Sequence, residues 1–150
     1  MHRLLPPVLF GLLFVTLVPL RLLHPKDVTP VHAAGAPMGE VGILAVLGLL
    51  ALVGARMQFA RSNAEIMTFH EPRNLVVTGL FRFSRNPMYL GFLLVLVAAA
   101  LFVNTWCAFA VPLVFWACCQ FWYVPFEERA AQAAFGQSYA AYCASVRRWI

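Results

Sequence analysis

The stretch FRFSRNPMYLGFLLVLVAAALFVNTW, residues 81–106, decides how the chain is read. It opens with Arg82, Arg85, Asn86 and Pro87 and then runs apolar until Asn104. An apolar run of this kind, introduced by basic residues, has the form of a membrane-spanning helix that starts at a charged mouth. Asn86 makes a good N-cap and Pro87 is favoured at the first helical position. Arg82 and Arg85 suit the excess of basic residues that membrane proteins keep on the cytoplasmic side. The same four residues also raise a second reading, in which the mouth of the helix is half of a binding site.

Working outward, the composition supports the bilayer as solvent. The chain has 150 residues, 62% of them hydrophobic and only 11% charged. A soluble domain carries roughly 25% charged residues, so too little polar surface is present to cover a water-exposed globule. A span takes about 20 apolar residues, and the hydrophobic residues fall in four blocks, at about 4–23, 39–58, 87–103 and 107–124. The expected fold is therefore an all-α membrane protein: a single domain over residues 1–150 with about four transmembrane helices, a cytoplasmic linker at 59–86 and a C-terminal amphipathic helix at 126–150. The first block starts with a basic residue like a signal peptide. Its apolar stretch is longer than a signal core and the small residues of VHAAGA lie well beyond it, so it is read as a retained span.

Lysine and arginine set the orientation. The segment 24–38 holds only Lys26, whereas the second linker holds Arg56, Arg61, Arg73, Arg82 and Arg85, and the tail holds Arg129, Arg147 and Arg148. This bias predicts a multi-pass protein with both termini in the cytoplasm and a tight turn at 104–106 on the far side. The formal net charge of +5 then reflects topology and contact with anionic membrane lipids, and no basic stripe suggests nucleic acid. Cys107, Cys118, Cys119 and Cys143 lack the paired spacing of a zinc site, and His24 with His32 makes a poor metal pair, so no metal is expected. In the tail, Phe135, Tyr139, Tyr142, Val146 and Ile150 recur at helical spacing and predict one continuous apolar face, with Gly136 weakening or bending the helix.

The fourth block ends in WYVPFEERAAQ, with Glu127 and Glu128 behind Pro125. Acids in the first turn of a helix suit its dipole, which is the plain reading of that pair. The hairpin topology adds a second one. The third span starts at the cytoplasmic face and the fourth ends there, so Arg85-Asn86 and Glu127-Glu128 are expected at the same depth and close together. An arginine and an acid at such a mouth suit a zwitterion, whose carboxylate pairs with the arginine and whose ammonium pairs with the acid. Ionisable groups at membrane depth are functional candidates.

Two separated motifs, VTGLFRFSRNPMYLG and EERAAQAAFGQSYAAYCASVRRWI, resemble those of the integral membrane methyltransferases, a group that includes isoprenylcysteine carboxyl methyltransferases and phospholipid N-methyltransferases. Gly79, Arg85, Pro87, Tyr89 and Gly91 carry the first motif. Glu127, Glu128, Phe135, Gly136 and Tyr139 carry the second, and the likeness covers about residues 75–150. It implies S-adenosylmethionine as cofactor and a lipophilic small molecule or lipid as methyl acceptor, entering sideways between helices. It further implies that Arg85, Asn86 and Tyr89 contact the methionine part at the catalytic centre, that Glu127 and Glu128 hold its ammonium, and that Thr78, Gly79, Phe81 and Tyr139 enclose the adenosine. His70 and Glu71 are the candidates for taking a proton from an amine acceptor. The carboxyl methyltransferases usually read Arg-His-Pro where this chain has Arg85-Asn86-Pro87, a form nearer the phospholipid enzymes. The alternatives are an NADPH-using enzyme like the membrane sterol reductases, which share a similar C-terminal hairpin, and a non-catalytic four-helix scaffold.

Overall fold

The computed structural model describes residues 5–23, 38–62 and 74–150. The segment with His24, Lys26 and His32, and the linker residues Glu65, His70 and Glu71, lie outside the described residues. Every regular element among those described is helical. The helices are α1 (Pro6–Leu23), α2 (Met38–Arg61), α3 (Pro87–Val103), α4 (Ala110–Cys118), α5 (Val124–Phe135) and α6 (Gln137–Ser145), with short 3₁₀ turns at Gly79–Arg82 and Trp106–Phe109.

Three helical runs are long and apolar enough to cross a membrane: Pro6–Leu23, Met38–Arg61 and Trp106–Phe135. The chain is an integral membrane protein. The third expected span, α3, has 17 residues and reaches about 26 Å at 1.5 Å per residue, a little under the ~30 Å hydrocarbon core. Side chains along α1 and α2 such as Val15, Leu22, Ile43 and Leu50 are exposed, as expected of surfaces that face lipid.

Helices in lipid gain little from hiding apolar surface from one another, so close approach and good packing hold them together. The contact of α2 with α3 is the most extensive in the molecule, and glycine is what makes it tight. Gly48 and Gly91 face each other so closely that a Cβ on either would sit 2.8 Å from the other's carbonyl oxygen. On the other side of α3, Phe10 of α1 packs against Phe92 at a tilt, with ring centroids 4.6 Å apart, and Phe92 meets Phe115 of α4 edge-on at 6.0 Å. These contacts join α1, α3 and α4 into one core that includes Leu17, Leu96, Phe115 and Tyr123.

The turn expected at 104–106 connects α3 to the following helix. Asn104 takes φ 56°, ψ 46° and returns its N–H to the Ala100 carbonyl, closing α3 in the left-handed conformation that asparagine tolerates better than most residues. The helix that follows does not stop at Val124 as the spans predict. It runs unbroken from Trp106 to Phe135. Pro125 has no N–H, and its ring would clash with the carbonyl of Phe121, four residues back. The helix answers by widening into a π turn at Cys119–Tyr123, with the Val124 N–H bonded to the Cys119 carbonyl, five residues back. One extra residue in a 3.6-residue turn rotates all that follows by about 100°. Glu127 and Glu128 therefore do not begin a new helix. They continue an existing one on a rotated face, and the dipole reading of the pair loses its basis.

The tail also departs from the expected single helix at 126–150. Gly136, at φ 50°, separates α5 from α6, and helix ends at Ser145, with Val146 extended. Phe135, Tyr139, Tyr142 and Val146 do share one apolar cluster, with Ala55, Val76 and Phe81. Ile150 is 77% exposed and takes no part in that face, because the chain has left the helix before reaching it. Residues 75–77 form no regular element, although Val76 is buried in the cluster. This second cluster covers one end of the helical core.

Candidate functional site

A cavity of about 190 Å³ lies between the two clusters. Its polar wall is Arg85, Asn86, Glu127 and Glu128, and its apolar wall includes Phe59, Phe81, Met88, Phe92, Phe135 and Tyr139. Pro6 and Pro7, at the start of α1, close one side.

The polar wall joins the start of α3 to the rotated face of α5. The Tyr89 hydroxyl, one turn into α3, donates to Glu127 Oε1 at 2.7 Å. Arg85 Nη2 lies 3.2 Å from Glu128 Oε1. Arg148 grips the same carboxylate with two bonds, Nε to Oε1 at 3.1 Å and Nη2 to Oε2 at 2.6 Å. Two acids and two guanidiniums balance in formal charge, which suits a cluster that sits largely out of water. Arg85 also directs Nη1 to Cys143 Sγ, while its Nε is buried with no partner among the described residues.

Asn86 decides between the two readings of the opening motif. It occupies the N-cap position of α3, but its side chain makes no capping bond. Its Nδ2 instead donates to the Arg148 carbonyl at 2.9 Å, and the Ser84 hydroxyl reaches the same oxygen at 3.4 Å. The Arg85 N–H donates to the Arg147 carbonyl at 3.1 Å. The polar groups at the mouth of α3 are spent on a segment more than sixty residues away in sequence, so punctuation of the helix does not account for them.

Seven of the nine residues picked from sequence line the cavity: Phe81, Arg85, Asn86, Tyr89, Glu127, Glu128 and Tyr139. Thr78 and Gly79 do not. Thr78 is exposed. Gly79, at φ +59°, lies so close to Gln58 that a Cβ there would come within 1.8 Å of the side-chain amide nitrogen. Gln58 Oε1 accepts the Leu80 N–H at 3.2 Å. The pair fastens the linker to α2 and so places Phe81 in the covering cluster.

Tyr142, one of the tail aromatics, lines the cavity as well, and Arg148 and Cys143, which no sequence signal marks for the site, join its polar wall. Tyr142, on the aromatic face already noted in the tail, donates its hydroxyl to the Phe81 carbonyl at 2.7 Å. Burial pushes that hydroxyl up to about 12, with Arg85 pulling the other way and Cys143 adding to the rise. Burial likewise raises the Tyr139 hydroxyl, with the neighbouring Cys143 next in effect. Both tyrosines therefore stay neutral at physiological pH. Arg148 carried only a topology signal in sequence, since nothing local distinguishes it from Arg147.

The model of the family described as phospholipid methyltransferase matches residues 40–138, more than half of the chain. Comparison with curated proteins and comparison with solved structures each give no match. The matched stretch takes in α2 from its third residue, α3, α4, the π turn and α5, and with them Arg85, Asn86, Tyr89, Glu127 and Glu128. An apolar helical core, a polar mouth shared by two of its helices and a family match across both lead to one conclusion: the chain is a membrane protein that belongs to the phospholipid methyltransferase family.

Proposed function

We propose that the protein transfers a methyl group from S-adenosylmethionine to a lipophilic acceptor, at the cytoplasmic face of the membrane. The observation that carries this is the joining of Arg85 with Glu128, and of Tyr89 with Glu127, along one wall of a cavity otherwise lined by apolar and aromatic side chains. The donor set fits an amino acid attached to a flat base. Arg85 keeps a buried Nε–H without a partner among the described residues, suited to a carboxylate. Glu127, oriented by the Tyr89 hydroxyl, provides negative charge for an ammonium. Phe59, Phe81, Phe135 and Tyr139 supply ring faces and edges for a purine.

The cofactor supplies, when bound, a methyl group on a sulfonium, an electrophile that needs no further activation. The protein's part is to align and to exclude water. Tyr89 and Glu127 brace α3 against α5 and fix the width of the mouth. Pro6, Pro7 and Phe92 form an apolar flank on the helical-core side, where the hydrocarbon part of an acceptor fits. A carboxylate acceptor needs no base.

In detergent, S-adenosylhomocysteine should raise the melting temperature of the purified protein and NADPH should not. At 100 times its dissociation constant a ligand stabilises by about 2.7 kcal/mol, a readable shift. A shift with NADPH alone moves the chain to reductase chemistry, and no shift with either, in folded protein, removes the cofactor reading.

A further inference from the structure

Gln120 is a strongly polar side chain deep in the fourth apolar block, and nothing in the methyl-transfer reading uses it. It belongs to the π turn of Cys119–Tyr123. Its Oε1 accepts the indole N–H of Trp149 at 2.7 Å, and the Trp149 ring packs on the membrane core formed by α1, α3 and α4.

Trp149 sits in the segment 146–150, which has left the helix; Val146 makes its last helical bond, to the Tyr142 carbonyl. Its position rests on tertiary contacts, and those contacts go to the site. The Arg147 carbonyl receives the Arg85 N–H. The Arg148 carbonyl receives Asn86 Nδ2 and the Ser84 hydroxyl. The Arg148 guanidinium holds Glu128 with two bonds. The segment is thus a strap: one end continues from α6, the middle clasps Arg85, Asn86 and Glu128, and the indole is fastened to the π turn.

We infer that Gln120 and Trp149 are positioning residues of the site, whose hydrogen bond seats the strap 146–150 across Arg85, Asn86 and Glu128 and so holds the polar wall in its binding arrangement. The cofactor-binding half of this rests on the proposed function, while the seating of the strap does not. Trp149 lies outside the stretch that the family model matches, so this clasp is not part of what family membership conveys. The bland alternative is an indole that satisfies its N–H at a membrane interface on whatever acceptor is near. On that alternative, cutting the bond leaves the strap in place, because the bonds of Arg147 and Arg148 to Arg85, Asn86 and Glu128 would still hold it.

The test is hydrogen exchange at the Arg85 amide, whose acceptor is the strap, together with titration of S-adenosylhomocysteine in detergent. Gln120→Leu removes the bond with little change of shape, and Trp149→Phe removes it together with one ring of packing on the core. Each should speed exchange at the Arg85 amide about tenfold and weaken the ligand by a similar factor, the scale of one buried hydrogen bond. Gln120→Glu keeps an acceptor oxygen in either protonation state and should restore both to near wild type. The double variant should be no worse than Trp149→Phe, because both changes break the same bond. Unchanged exchange in Gln120→Leu, or additive effects in the double variant, overturns the strap. Faster exchange with unaltered affinity overturns its role in binding. If Gln120→Leu does not fold, Trp149→Phe decides alone. If the wild-type protein binds no S-adenosylhomocysteine, the proposed function fails and the exchange measurements still decide the strap.

Discussion

Glu127→Gln separates the charge of the site from its shape. Glu127 Oε1 accepts the Tyr89 hydroxyl at 2.7 Å, and a glutamine keeps an oxygen at that place, so the brace between α3 and α5 survives. What disappears is the negative charge available to an ammonium. A hydrogen bond to a charged group is worth about 1.5–3 kcal/mol, and each 1.4 kcal/mol is about tenfold in affinity. The dissociation constant of S-adenosylhomocysteine should therefore rise roughly 10- to 150-fold, read by calorimetric titration in detergent. Methylthioadenosine, which lacks the amino acid, should bind the wild type and Glu127→Gln equally. Arg147→Ala is the control, since the Arg147 side chain is exposed and only its backbone carbonyl reaches the site. If Glu127→Gln binds S-adenosylhomocysteine as tightly as the wild type does, the carboxylate does not hold the ammonium and the zwitterion argument is wrong.

Further outcomes follow from the same geometry. Gly91→Ala places a methyl 2.8 Å from the Gly48 carbonyl and 2.9 Å from Leu52 Cγ, so it should destabilise by about 1–3 kcal/mol through forced separation of α2 and α3. Gly11→Ala, with nothing within 4 Å, should leave the melting temperature within a degree or two. Tyr142 is raised from 10.0 to about 12 by burial, so the folded state keeps a proton that the unfolded chain gives up. Its contribution to stability is complete below pH 10.0, falls as pH rises and is gone above about 12. Tyr142→Phe should make the loss of stability over that window shallower, and an unchanged slope in a pH series of melts would contradict it. A reporter fused after Ile150 should be active only in its cytoplasmic form, and activity of an exported-only reporter there would turn the site to the other side of the membrane.

The helices and the pairing of their mouths were legible in sequence because each depends on local signals. Apolar blocks mark α1 to α4, Asn86-Pro87 marks where α3 starts, and Asn104 marks where it stops. A short turn between α3 and the next helix then leaves only one neighbour for Arg85 at its own depth. The course of the chain after Pro125 was not legible. Proline usually ends a helix, but here the π turn at Cys119–Tyr123 absorbs it, and the hydrogen bonds that permit this depend on the packed surroundings of the turn. The same is true of Arg148. Two adjacent arginines in a tail look alike, and only the extended conformation after Ser145 turns one of them onto Glu128 and leaves the other exposed.

Asn86 carries the larger consequence. Its sequence context fits a helix cap, and it occupies the cap position, yet its side chain spends its donor on the Arg148 carbonyl. A cap would have stabilised α3 by about 1 kcal/mol through contacts within one turn. The bond it makes instead ties the start of α3 to a segment 62 residues on. That segment in turn bonds Glu128 on α5 and Gln120 in the π turn. Three parts of the chain that share no local signal are thereby fixed relative to one another at the rim of one cavity. A folding requirement limited to α3 would be met by serine, threonine or aspartate at position 86 as well as by asparagine. The observed partner is a carbonyl, which needs a donor, and an aspartate carboxylate has none to offer at neutral pH. Asn86→Asp therefore keeps a competent cap and removes the clasp. If the site depends on the clasp, Asn86→Asp should lose cofactor affinity while α3 stays folded.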